Sequence, residues 1–230
     1  MLKRIIAVAA LAGSPIAAQE QAPAVPAANA ANYTAPVNFN LNEERENILL
    51  LDLSNGRRVA IRLMPQWAPA HVERVKTLTG QGFYNGVVFH RVIDGFMAQT
   101  GDPTGTGQGG SPLPDLAAEF NPRPHVRGTV SMARAEAENS ANSQFFIVFY
   151  PRFSLDKRYT NFGRVISGMD AVDAIQRGEP PANPTRIVQA SLASENKPVP
   201  VIQPTVQQPV TADELNAPLS QPATNTPPAG

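Results

Sequence analysis

Three polar side chains stand where an apolar run tolerates them least: Arg91 within Val87 to Ile93, Gln99 within Phe96 to Thr100, and Gln144 at the head of Gln144 to Tyr150. Each run has the length and the β-branched and aromatic content of a strand. Side chains alternate across a strand, so Phe89, Arg91 and Ile93 are expected on one face, opposite Val88, His90 and Val92. By the same rule Met97 shares a face with Gln99, and Gln144 shares one with Phe146 and Val148, leaving Phe145, Ile147 and Phe149 for the other side. One face reads as core, the other as a mixed groove. Buried amides and guanidinium groups cost free energy unless they find hydrogen-bond partners, and the backbone of an extended peptide in such a groove supplies them.

Other chemistries fit the residues less well. Gly105-Thr106-Gly107-Gln108-Gly109-Gly110 matches a dinucleotide-binding pattern, but Ser111-Pro112-Leu113-Pro114 follows where a helix is required. His71, His90 and His125 are scattered without paired ligand spacing, so no metal is expected. Ser131 and Ser143 lack a nucleophile-elbow context, and a chain without cysteine has no thiol chemistry and no disulfides.

The elements that hold the groove follow from local pattern. Ile48 to Leu53 and Arg58 to Leu63 are strand-like and joined through Ser54, Asn55 and Gly56, where Asn-Gly signals a hairpin. Pro69 suits a first helical turn, and Val72, Val75 and Leu78 then recur at helical spacing until Gly80 and Gly82. Further strands are expected at Val87 to Ile93, Phe96 to Thr100, Gly128 to Ala133, Gln144 to Tyr150, Phe162 to Ile166 and Arg186 to Leu192, with a second helix from Met169 to Gln176. Eight strands and two helices predict a mostly β fold, a closed eight-stranded antiparallel β-barrel capped by two α-helices, because closure removes sheet edges.

The ends differ in composition. Lys3 and Arg4, the apolar stretch Ile5 to Leu11 and the small residues Ala17 and Ala18 read as a secretory signal peptide over residues 1–18. Residues 19–42 read as a flexible linker, 43–194 as the folded domain, and 195–230 as a disordered tail rich in proline and glutamine. No membrane span is expected in the mature protein. Lys plus Arg total 19 and Asp plus Glu total 19, and neither sign forms a long run, so nucleic acid is not expected as a partner.

The run Phe89-His90-Arg91-Val92-Ile93-Asp94-Gly95-Phe96-Met97-Ala98-Gln99 resembles the F-H-R-x-I-x-G-F-x-x-Q signature of cyclophilins. The resemblance continues through Gly101-Asp102, Gly128 to Ala133, Ser143 to Ile147, Leu155-Asp156 and Phe162 to Val165, and covers essentially all of Asn47 to Leu192. It implies a peptidyl-prolyl cis/trans isomerase with a surface groove, a pocket for the proline ring, and no cofactor or metal. By motif, Arg91 resembles the catalytic arginine, with Gln99 orienting its guanidinium. Phe96, Met97, Phe146 and Leu155 resemble the proline pocket, Gln144 matches a groove glutamine that engages the substrate backbone, and Ala133 and Arg134 would lie beside that backbone.

Two positions depart from the pattern. Ser154 stands where many members, the cyclosporin-sensitive ones included, carry tryptophan, and Tyr159 stands where many carry histidine. Activity is expected to survive the second change, while the first argues against strong cyclosporin binding. The expected partners are proline-containing peptides and unfolded exported proteins, met by a monomer in the periplasm. A second reading is a noncatalytic peptide-binding or chaperone module that uses the same groove to hold clients. A third is that the proline-rich tail contacts cell wall, membrane proteins or the domain's own groove.

Overall fold

A computed structural model describes residues 36–201. The expected signal peptide, most of the expected linker and most of the tail lie outside the described residues. Within them, β1 (Ile48–Leu53) and β2 (Arg58–Leu63) form the hairpin that Asn55-Gly56 announces. Gly56 takes a φ of 82°, which the turn needs and which glycine alone adopts without penalty. The ends of the hairpin are clamped by Arg58, whose Nε and Nη2 donate to the two carboxylate oxygens of Asp52 at 2.6 and 2.9 Å.

Helix α1 (Pro69–Gly80) buries His71, Val72, Val75, Leu78 and Thr79. Ala68 at its N-cap offers no side-chain acceptor. The free amides of Ala70 and His71 donate instead to the carboxylate of Glu119, at 3.1 and 3.0 Å, so a distant loop caps the helix. The remaining strands are β3 (Arg91–Ile93), β4 (Met97–Thr100), β5 (Thr129–Met132), β6 (Phe145–Val148), β7 (Asn161–Ser167) and β8 (Ile187–Leu192). Helix α2 (Met169–Asp173) is shorter than the expected Met169 to Gln176, because the chain turns at Ala174 to bury Ile175 and to donate the Gln176 amide to Thr185 Oγ1.

All pairings are antiparallel, in the order β3-β4-β6-β5-β7-β2-β1-β8. The sheet curls so that residues 86–89 meet the start of β8: the Gly86 and Phe89 amides donate to Ile187 O and Thr185 O, and the Ile187 amide to Val87 O. The expected closed barrel is therefore a curled sheet whose seam is crossed by this short pairing rather than by a full ladder.

This change of partner corrects one expectation. Phe89 does not share a face with Arg91: it is fully buried in the interior with Val92, while Arg91 is exposed. The chain pairs toward β8 up to Phe89 and toward β4 from Arg91, and the alternation shifts phase between them.

The interior is filled by one face of the strands together with the apolar stripe of α1, including Leu49, Leu51, Ile61, Val75, Phe145, Ile147 and Phe162. A second apolar cluster lies on the outer face, built on Met97, Phe146 and Val148 with Ile93, Phe96, Ala133, Leu155 and Tyr159 packed against it. Arg62 on β2 is 1 % exposed and donates to the carbonyls of Asn38, Asn40, Glu43 and Glu44, which fastens residues 38–44 over the sheet. None of the described helices is long and apolar enough to cross a membrane.

Candidate active site

The outer cluster is the floor of a groove of about 650 Å³. Register explains why it forms. Arg91 pairs with Gln99, Gln99 with Phe146, and Phe146 with Ser131, so one row of side chains crosses four strands on the outer face. The next row brings Ile93, Met97 and Val148 together. Met97 and Phe146 are almost wholly buried beneath Phe96, Leu155 and Tyr159. Tyr159 stands edge-on to Phe146, at 5.7 Å between ring centroids and 83° between planes. The result is an apolar recess with a guanidinium at its side.

Of the residues expected at the site, Arg91, Phe96, Met97, Gln99, Ala133, Arg134, Phe146, Leu155 and Tyr159 all line this groove. Gln144 lines a neighbouring recess of about 480 Å³ that shares Gln99, Gly107, Gln108, Ala133 and Arg134 with the first. Phe96 is covered on one side by Arg152, whose guanidinium lies 4.8 Å from the ring centre. Arg134 stacks in the same way on Tyr159 at 4.9 Å and donates to the carbonyls of Ala135, Glu136 and Arg158.

The two glutamines bond to each other and to the glycine loop: Gln99 Nε2 donates to Oε1 of Gln144 at 2.8 Å. Gln144 Nε2 in turn donates to the carbonyls of Gly107 and Gly109 at 3.0 and 2.8 Å, so its amide ties the glycine loop to the sheet. The partner of Arg91 is Glu179, whose Oε2 accepts from Nε at 2.7 Å. Glu179 and Pro180 both line the groove, and neither was anticipated from the sequence, because the pairing of residue 178 with β3 leaves no trace in composition or periodicity.

The glycine loop is organised around Asp102. Its carboxylate accepts from the Thr104 amide and hydroxyl, the Thr106 hydroxyl and the amides of Gly107 and Gly109. Burial alone would raise its pKa, but these hydrogen bonds outweigh it and bring the carboxyl down to about 2. A Cβ at Gly109 would sit 2.2 Å from Asp102 Oδ1, so the loop closes on the carboxylate only with glycine there.

Beneath Phe146 lies a buried polar chain. Ser131 Oγ and His125 Nε2 are 2.9 Å apart, His125 Nδ1 and Asp156 Oδ1 are 2.8 Å apart, and the imidazole stacks on Phe146 at 6.4 Å. With Nδ1–H donating to the Asp156 carboxylate, Nε2 accepts from the Ser131 hydroxyl. Burial pushes the pKa of His125 down despite Asp156. Ser131 is fully buried, which denies it a nucleophile's access to substrate. The set works as a prop for Phe146.

The family model for the cyclophilin type peptidyl-prolyl cis-trans isomerase matches residues 49–192. The chain belongs to this family. A protein of Brucella suis biovar 1 (strain 1330), named "Probable peptidyl-prolyl cis-trans isomerase", is 48% identical over 168 residues, 66% of this chain and 85% of the relative. Peptidyl-prolyl cis-trans isomerase B of Bacillus subtilis (strain 168) is 40% identical over 128 residues, 55% of this chain and 89% of that one. Among solved structures, the cyclophilin AquaCyp293 from Hirschia baltica superposes with a TM-score of 0.62 at 29% identity, covering 67% of this chain and 77% of its own. A Cryptosporidium parvum cyclophilin crystallised in the presence of the dipeptide ala-pro gives a TM-score of 0.59 at 28% identity, covering 63% and 98%. The fold, the family and the isomerase activity expected from the sequence all agree with these relatives.

Proposed function

We propose that Arg91 is the catalytic residue of this isomerase, that the proline ring of the substrate sits on Met97 and Phe146 beneath Phe96, Leu155 and Tyr159, and that the clients are exported proteins folding in the periplasm. The observation that carries the reading is the guanidinium of Arg91 beside the apolar recess. The barrier to X-Pro rotation, about 18 to 20 kcal/mol, is the amide resonance that must be lost. As the bond twists, the proline nitrogen becomes pyramidal and exposes a lone pair. A guanidinium N–H against that nitrogen makes a hydrogen bond stronger at the transition state than in the ground state, which is the condition for acceleration. The recess holds the ring while the other half of the amide turns. No covalent bond forms and no proton moves. The Cryptosporidium relative crystallised with Ala-Pro supports a proline-containing ligand in such a groove.

Export rests on the amino-terminal segment, and slow isomerisation of tens to hundreds of seconds makes secreted chains natural clients. Cell fractionation finding the unprocessed protein in the cytosol would sink that part. The site is tested by the cis-to-trans rate of a proline tetrapeptide with the purified chain, beside Arg91→Ala and Arg91→Lys. Loss of most of the acceleration in both supports Arg91, since lysine lacks the planar fork. A wild-type rate in Arg91→Ala refutes its role. If the wild type itself fails to accelerate the reaction, the groove serves to hold clients.

A further inference from the structure

We propose that Glu179 is the positioning residue of the active site, holding the Arg91 guanidinium in its working orientation before substrate arrives; this rests on the role assigned to Arg91 above. Val92 and Gly178 exchange both backbone hydrogen bonds, the Val92 amide to Gly178 O at 2.8 Å and the Gly178 amide to Val92 O at 2.9 Å. In an antiparallel pairing the step beyond such a pair is one where opposed side chains stand closest. One step toward Arg91 on β3 is one step toward Glu179 on the facing segment. The 2.7 Å contact between Nε and Oε2 is therefore a consequence of register.

The facing segment is itself fixed. Gly178 has a φ of 143°, and a Cβ there would lie 2.6 Å from the Cα of Pro181 and 2.9 Å from the carbonyl oxygen of Pro180. Only glycine fits, and the chain leaves that point with Glu179 and Pro180 turned into the groove wall. Arg91 is 45% exposed, so its long side chain would otherwise sample many rotamers. The carboxylate takes the Nε–H and leaves the two terminal nitrogens, which make no hydrogen bond among the described residues, to meet the proline nitrogen. The orientation is set in advance, where it contributes to kcat rather than to binding.

The test compares Glu179→Ala and Glu179→Gln with wild type and Arg91→Ala, using the same tetrapeptide under saturating and subsaturating conditions. Exposed charge pairs couple weakly, so Glu179→Ala is expected to lose about 3- to 10-fold in kcat with KM within about 2-fold. Glu179→Gln keeps an acceptor oxygen and is expected to recover at least half of the rate. The Arg91 Nε–H resonance should be resolved and slow to exchange in wild type and lost in Glu179→Ala, with the thermal midpoint unchanged. A wild-type kcat in Glu179→Ala overturns the proposal, as does equal loss in both variants accompanied by a lower thermal midpoint. Should Arg91→Ala retain the wild-type rate, the role of Arg91 has failed; should Arg91→Ala be slow while both Glu179 variants are normal, only Glu179 has.

Discussion

Phe146 shows how much a single side chain can be asked to do. Its ring stands nearly perpendicular to Tyr159, one face lies along His125, and its register partners are Gln99 and Ser131. It is 5 % exposed, and what little it shows forms the floor of the recess. Truncation removes the surface on which the proline ring would rest. Phe146→Ala is expected to lower kcat/KM about 10- to 100-fold, chiefly through KM, since each tenfold is about 1.4 kcal/mol and a lost aromatic contact is of that order. Steady-state kinetics with a proline tetrapeptide checks this, and an unchanged KM would remove Phe146 from the pocket. The identity of such residues was legible because they recur in a long motif and because alternation put Met97, Gln99, Phe146 and Val148 on one face. Their hydrogen-bond partners were not. The motif placed Gln99 with Arg91, and the two do pair in register, but the Gln99 amide donates to Gln144, because hydrogen-bond partners depend on how neighbouring strands and loops meet.

At the scale of elements, the glycine loop illustrates why composition misleads. Its glycines match a phosphate-binding pattern, yet their function is to let backbone amides converge on an internal anion, Asp102. A nest of N–H groups of the kind that binds anions is filled by the protein's own carboxylate. Asp102→Asn removes the charge and is expected to loosen the loop, and with it the carbonyls of Gly107 and Gly109 that hold Gln144. KM should rise about 3- to 10-fold with a smaller change in kcat, because a substrate-facing wall is lost while Arg91 is untouched. The acid limb gives a second readout. The Asp102 carboxyl is depressed from 3.8 to about 2, so its contribution is complete above about pH 4 and is lost as the pH falls through 2. Denaturation at pH 4.5 and 2.5 should show up to about 2 kcal/mol of that loss in wild type and little of it in Asp102→Asn. An equal drop in both proteins would mean that other carboxylates govern the limb. The strands themselves were legible almost to the residue, whereas the Val87 to Ile93 run was not. A two-residue period assumes one partner along the whole strand, and this strand changes partner at Phe89.

Across the whole molecule, two buried histidines, His90 and His125, tie stability to pH. Sequence placed His71, His90 and His125 on separate elements and gave no reason to link them, since burial depends on which loops fold over which strands. His90 is 6 % exposed in the groove wall and His125 is fully buried. Burial pushes the pKa of both below the usual histidine value; the charge of Arg91 adds to this at His90, and Asp102 and Asp156 oppose it in their respective sites. A histidine held neutral in the fold takes up its proton more readily when the chain unfolds. Stability is therefore full above the unfolded value of about 6.5 and declines as the pH falls through the depressed folded values. The thermal midpoint should drop between pH 7.5 and 5, in a window separate from that of Asp102. His125→Gln will lower the midpoint at pH 7.5, because Ser131 and Asp156 lose their partner, yet its slope between pH 7.5 and 5 should be shallower than wild type. Combining it with His90→Gln should flatten the slope further. Calorimetry across that range decides the matter, and a double variant with the wild-type slope would place the dependence on other groups. The same window has a catalytic side. Protonating His125 would abolish the acceptor that Ser131 uses and put a charge against Phe146, so kcat/KM should decline along with stability in wild type and less steeply in the variants.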